Sequence, residues 1–152
     1  MSIDLEALLP DLLPRAIEWV EAQFTIILAS GSPLTEIETS LAEAVGVTHP
    51  EKIRIKSVKT FPLPDDLELR SVALQTGLLG PGIVGITFGY GIYVRDGFVT
   101  NRLVSHECRH VYQYEQAGSI AAFLPIYLQQ IATVGYHDAP LEVDARKHEL
   151  DA

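Results

Sequence analysis

Cysteine occurs once in the 152-residue chain, as Cys108. A lone thiol excludes an internal disulfide, and the chain is accordingly expected to work in a reducing cytoplasm. Basic side chains are scarce, 11 against 20 acidic ones, for a net charge of -9. Such a surface repels a phosphate backbone. The one basic cluster, Lys52, Arg54, Lys56 and Lys59, alternates as the solvated face of a strand does, so no nucleic-acid partner is expected. A long uninterrupted apolar run is also missing. The most apolar window, residues 117–135, contains Pro125, Gln129 and Gln130 and reads as a buried core helix, with no membrane partner. Asp4, Glu6 and Asp11 stand where a secretory signal needs basic and then apolar residues. No phosphate-binding loop, dinucleotide fingerprint or nucleophile elbow occurs, and "GLLGPG" at 77–82 is only turn-forming, so no nucleotide cofactor is implied.

What is present has the composition of a globular domain: 47% hydrophobic and 20% charged residues in a length suited to one domain, 1–152, around one core. Ile17, Val20, Phe24, Ile27 and Leu28 mark an amphipathic helix over 11–29. Ser32, with Pro33 behind it, is a candidate cap for a second helix running to Gly46. Residues 52–61 alternate like a strand, and Asp65 or Asp66 can cap a short helix to about Leu78. From Ile83 to Val94 every even position is apolar and Gly85, Gly89 and Gly91 fall between. That pattern fits one long strand or a hairpin turning at Gly89-Tyr90, and an edge strand of this kind can hold an extended peptide. Thr100 or Asn101 caps the next helix and Gly118 stops it. Ser119 opens a helix with Ile120, Phe123, Leu124, Tyr127, Leu128, Ile131 and Val134 inward, ending at Gly135, and a last helix runs from 138–140 to about Leu150. The expected class is α+β: a mainly helical single domain with a small sheet beside the helix of residues 101–117.

That helix carries "HECRH" at 106–110. Residues separated by four share a helix face, so His106 and His110 can aim two imidazole nitrogens at one point. Zinc takes neutral nitrogen donors tetrahedrally, and Glu107 is placed to move a proton of a metal-activated water. Cys108 is rotated away from that face and reads as a structural thiol. The bland alternative is a pair of half-buried histidines satisfied by hydrogen bonds. A catalytic zinc wants a third protein ligand, and His137, Asp138, Glu142, Asp144, His148 and Glu149 are available. Glu142 is favoured because it opens the last helix after Pro140, where the chain can return to the metal; Asp144 and the two histidines stay open. Gln113 can support a ligand, and Tyr136 or His137 can donate a hydrogen bond to an oxyanion.

The stretch "HECRHVYQYEQAG", followed by Phe123, Tyr127 and "PLEVDA", resembles the zincin metallopeptidases and, with its later glutamate, their gluzincin branch. It is similar over about residues 83–146 to a set of small bacterial metallopeptidases with the pattern H-E-x-x-H-x-x-Q-Y, a glycine, then P-L-E-x-x-A. Residues 1–80, a helical half with one strand, match nothing of that pattern, and neither the longer gluzincin signature nor the third histidine of the metzincins is present. The resemblance implies a zincin-like fold, Zn2+ bound by His106, His110 and Glu142, Glu107 as general base, and a peptide or protein substrate. Two functions from different classes follow: a zinc peptidase, or a zincin-fold interaction or metal-binding module without turnover.

Overall fold

Local signals place the elements, and the computed structural model describes residues 4–151. Helix α1 spans Leu5–Ser30, with the Asp4 side chain accepting from the N–H of Ala7. It therefore starts a turn and a half before the expected boundary. Pro10 and Pro14 lie inside it, both on the exposed face, where the carbonyls freed by their missing donors meet water. Ser32 and Pro33 do not begin a helix. They form a two-residue strand, β1, Ser32–Pro33, paired antiparallel with β2, Arg54–Val58. The second helix, α2, is Glu36–Ala44, because Thr35 and Glu38 make a capping box that satisfies two end donors at once. The N-terminal half thus holds two strands where one was expected.

Asp66 caps α3, Leu67–Gln75. The glycine-bearing stretch is a hairpin of β3, Gly85–Phe88, and β4, Gly91–Arg95. The sheet order is β1-β2-β4-β3, with β2 and β4 parallel and β3 at an edge. Phe88 pairs with Gly91 across the turn, so even-numbered residues of β3 share a face with odd-numbered residues of β4. Ile86, Phe88 and Tyr93 accordingly meet α1, while Ile92 and Val94 pack on α2 and on α4, Asn101–Ala117. Gly85 and Thr87 are left facing α4.

Thr100 caps α4 and Gly118 closes it at φ 101°, a left-handed conformation that suits glycine. Ser119 caps α5, Ile120–Asp138, which is interrupted at Gly135 (φ 84°, ψ 166°). With the helix broken there, Val134 is exposed and not inward as its spacing indicated. The last helix, α6, is Pro140–Lys147 and stops short of Leu150. The result is α+β: mainly helical, with a small mixed sheet between α1 on one face and α2 with α4 on the other. A third apolar cluster joins Leu5, Leu9 and Leu12 of α1 to Leu69 and Val72 of α3 and Ile131 of α5. No single helix among the described residues is long and apolar enough to cross a membrane.

Candidate metal centre

Helix α4 holds the two histidines on one face, 5.0 Å apart by ring centroid, as their spacing requires. The break at Gly135 turns the chain back, and Pro140 starts α6 so that its first turn faces α4. Arg109 and Gln113 of α4 lock the two helices together, and Gln130 of α5 holds the start of α6. Arg109 makes a fork to Asp144 at 2.8 and 3.2 Å, Gln113 Nε2 donates to Leu141 O and Asp144 Oδ2 at 2.9 Å each, and Gln130 Oε1 accepts from the Leu141 N–H at 2.9 Å. Glu142 is thereby delivered to both histidines. Its Oε1 lies 3.4 Å from His106 Nε2 and its Oε2 lies 3.1 Å from His110 Nε2. A tetrahedral ion with bonds of about 2.0–2.1 Å sets neighbouring donors about 3.4 Å apart. His106, His110 and Glu142, with donor atoms all within 4.8 Å of one another, are close enough to bind a metal ion.

The far side of each ring fixes its tautomer. Gln113 spends its amide N–H groups on Leu141 and Asp144, so its Oε1, 2.7 Å from His110 Nδ1, accepts a hydrogen bond from that nitrogen. His106 Nδ1 lies 2.8 Å from the Glu149 carboxylate, which can only accept. Both neutral imidazoles therefore carry hydrogen on Nδ1 and turn the Nε2 lone pair toward Glu142, the state a metal ligand needs. Glu149 is itself held by Arg102 Nε at 2.8 Å, and the Leu150 N–H bonds Ser105 Oγ at 2.8 Å. Tyr127 donates its hydroxyl to Glu142 Oε2 at 2.8 Å.

Electrostatics in the metal-free cluster follow from this crowding. Burial by itself would push the His106 imidazolium down, but the bonds to Glu142 and Glu149 and the charge of Glu107 outweigh it and lift the pKa to about 9. Burial opposes His110 too, and Glu142 again overrides it in the upward direction. Against its own burial, Glu142 is held well below the usual carboxylate range by the two histidines and Tyr127.

No protein-family model, no curated protein and no solved structure matches this chain.

The chemistry of the centre therefore stands on its geometry. Glu107 is almost wholly buried, 3% exposed, and its Oε1 accepts from the Thr87 hydroxyl at 2.9 Å. Gly85 leaves room for this carboxylate: a Cβ built there would lie 3.0 Å from Glu107 Oε2. Tyr136 lies half-buried in the same cavity wall, where burial and the charges of Glu142 and Glu107 keep its phenol protonated. His137 is brought elsewhere. Its side chain is 85% exposed and paired with Asp138 at 3.1 Å, because Gly135 turns Tyr136 inward and its neighbour outward. Asp144 is committed to Arg109 and Gln113, and His148 bonds the Asp144 carbonyl at 2.8 Å. Cys108 is fully buried, and burial pushes its thiol up to about 12, which removes it as a nucleophile.

Three supporting groups escaped the sequence reading in these roles. Glu149 is among the possible ligands the sequence offers, but it lies just beyond the end of α6 and reaches the His106 ring from there. Tyr127 read as core and cleft lining. Thr87 had no signal, since its direction depends on where the hairpin turns.

Proposed function

We propose that the chain is a zinc-dependent hydrolase acting on peptide bonds. The observation that carries this reading is the pair of Nε2 atoms converging with Glu142 beside a second buried carboxylate, Glu107, that takes no part in the cluster. A zinc ion bound there would supply a polarised carbonyl and water of pKa about 7. His106, His110 and Glu142 would hold the ion. Glu107 takes a proton from the water as its oxygen attacks the carbonyl carbon, and gives that proton to the nitrogen as the C–N bond breaks. Tyr136 donates a hydrogen bond to the oxygen that gains charge.

The open edge of β3 supports an extended substrate. The Arg95 N–H donates to the Val84 carbonyl at 2.8 Å, and the alternation of an antiparallel ladder then turns the N–H and C=O of Gly85 and Thr87 outward. The Thr87 carbonyl accepts from Tyr114 at 3.2 Å; the groups of Gly85, next to Glu107, are left for a peptide main chain.

Two measurements test the proposal. Elemental analysis after dialysis against zinc is expected to give one ion per chain, and a protein that takes up none refutes the metal. A diverse peptide library is expected to be cleaved by the wild type, and by Glu107→Gln, with metal retained, roughly a hundredfold or more slowly. Undiminished turnover by that variant removes Glu107 from the mechanism, and metal binding without any cleavage by the wild type favours the module without turnover.

A further inference from the structure

An apolar cavity of about 110 Å³ adjoins the candidate centre. Glu107, His110, Glu142 and Tyr136 line it where it meets the site, and nearly all the rest of its wall is hydrocarbon from α1, α3, β3 and α5, including Leu9, Leu12, Val72, Ala73 and Phe88. Protein interiors are close-packed, and unfilled apolar volume destabilises in proportion to its size. A partly open apolar cavity of this size against two buried carboxylates is space left unfilled beside the reactive groups.

Two independent features say what fits. Gly85 and Thr87, whose main-chain groups turn to the open edge of β3, also line the cavity. A chain laid along that edge directs alternate side chains to opposite sides, so one of them enters the void while its carbonyl faces Glu107 and the histidines. The walls beyond the site offer no partner for a charge, which is costly to bury unpaired. An engineered apolar cavity of about 150 Å³ takes up benzene, so the smaller volume here suits a leucine or isoleucine side chain and excludes tryptophan.

We infer that this cavity is a substrate subsite, and that the bond cleaved is flanked by a medium-sized aliphatic residue whose side chain fills the space between α1 and α3. The inference rests on the hydrolase reading above and gives α1 and α3, within residues 1–80, a share in the selection of substrate. Ala73 of α3 and Ala16 of α1, both buried and both in the cavity wall, set its width from two sides.

The test has two arms. In the first, paired peptides differing only by leucine or alanine beside the scissile bond are cleaved by the wild type, Ala73→Leu and Ala16→Leu. The wild type is expected to favour leucine by roughly tenfold or more, and each filling variant to lose that preference while binding the same amount of zinc. The second arm needs no turnover: zinc-loaded wild type and the same variants are titrated with a hydroxamate bearing an isobutyl arm and with acetohydroxamate. The isobutyl compound is expected to bind the wild type more tightly and the variants not. Absence of cleavage with the hydroxamate preference intact overturns the hydrolase reading alone. Cleavage without an aliphatic preference, or equal affinity for the two hydroxamates, overturns the subsite alone. A protein that binds neither zinc nor hydroxamate overturns both.

Discussion

His110 Nδ1 lies 2.7 Å from Oε1 of Gln113, one turn further along α4, and this contact decides which nitrogen of the ring is free. Gln113 can accept from His110 because its own N–H groups are held by Leu141 and Asp144 of α6. The same amide thus orients one histidine and anchors the helix that supplies Glu142. Gln113→Ala is therefore expected to weaken zinc binding by roughly 10- to 100-fold, with the helical content unchanged. Competition titration against a chromophoric chelator measures it, and unchanged affinity would show that the ring needs no such support.

Gly85→Ala tests the close approach of strand and carboxylate. The added methyl would meet Glu107 Oε2 at 3.0 Å and Leu103 Cδ1 at 3.1 Å, so the carboxylate must shift by a few tenths of an ångström or more. Rates of peptide cleavage are expected to fall by up to roughly a hundredfold while bound zinc stays constant. Lost metal with the same rate per ion would instead make Gly85 a purely structural residue.

The metal-free protein has a predictable pH response. His106 is raised from 6.5 to about 9 in the folded state, so its contribution to stability is complete below pH 6.5 and is lost as pH rises through 9. Glu142 is lowered from 4.5, so its contribution is present above 4.5 and is lost as pH falls toward its folded value. The apo melting temperature is thus expected to decline between pH 6.5 and 9, whereas the increment from added zinc grows over that interval, because the ion needs neutral imidazoles and displaces their protons. Calorimetric melts with and without zinc give both curves. An increment that shrinks toward pH 9 contradicts this assignment of ligands.

Cys108 should behave as an inert part of the core. Its thiol is fully buried among Val104, Val111 and Ile92 and is pushed up to about 12. Thiol reagents are expected to label it only after unfolding. Cys108→Ser is expected to cost about 1–3 kcal/mol in urea melts, because it buries a hydroxyl among hydrocarbon. Cys108→Ala should keep zinc and cleavage, and labelling of the folded protein at the rate of a free thiol would contradict its burial.

The sequence by itself determined the elements whose signals are local. Gly118 and Ser119 cap the helices their positions indicate, and among the alternatives the sequence leaves open Thr100, Asp66 and the hairpin at Gly89-Tyr90 are those found, because a cap or a turn is settled by residues within one turn of it. The pairing of His106 with His110 is equally local, a consequence of helical pitch. Boundaries failed where two local signals competed. At Ser32-Pro33 the capping box of Thr35 and Glu38 prevailed, and the earlier pair was left to the sheet edge.

Only the tertiary structure decided the rest. Glu142 reaches the histidines through the Arg109–Asp144 fork and the Gln113 amide, contacts spanning about thirty residues of chain. Tyr136 and His137 are neighbours in sequence, yet the break at Gly135 sends one to the cavity and the other to solvent. Thr87 faces Glu107 because a two-residue turn exchanges the parity of inward positions between β3 and β4, which no periodicity within either strand records. The apolar void between α1 and α3 exists only once helices distant in sequence pack together, since a cavity is a property of the space between elements and not of any one of them.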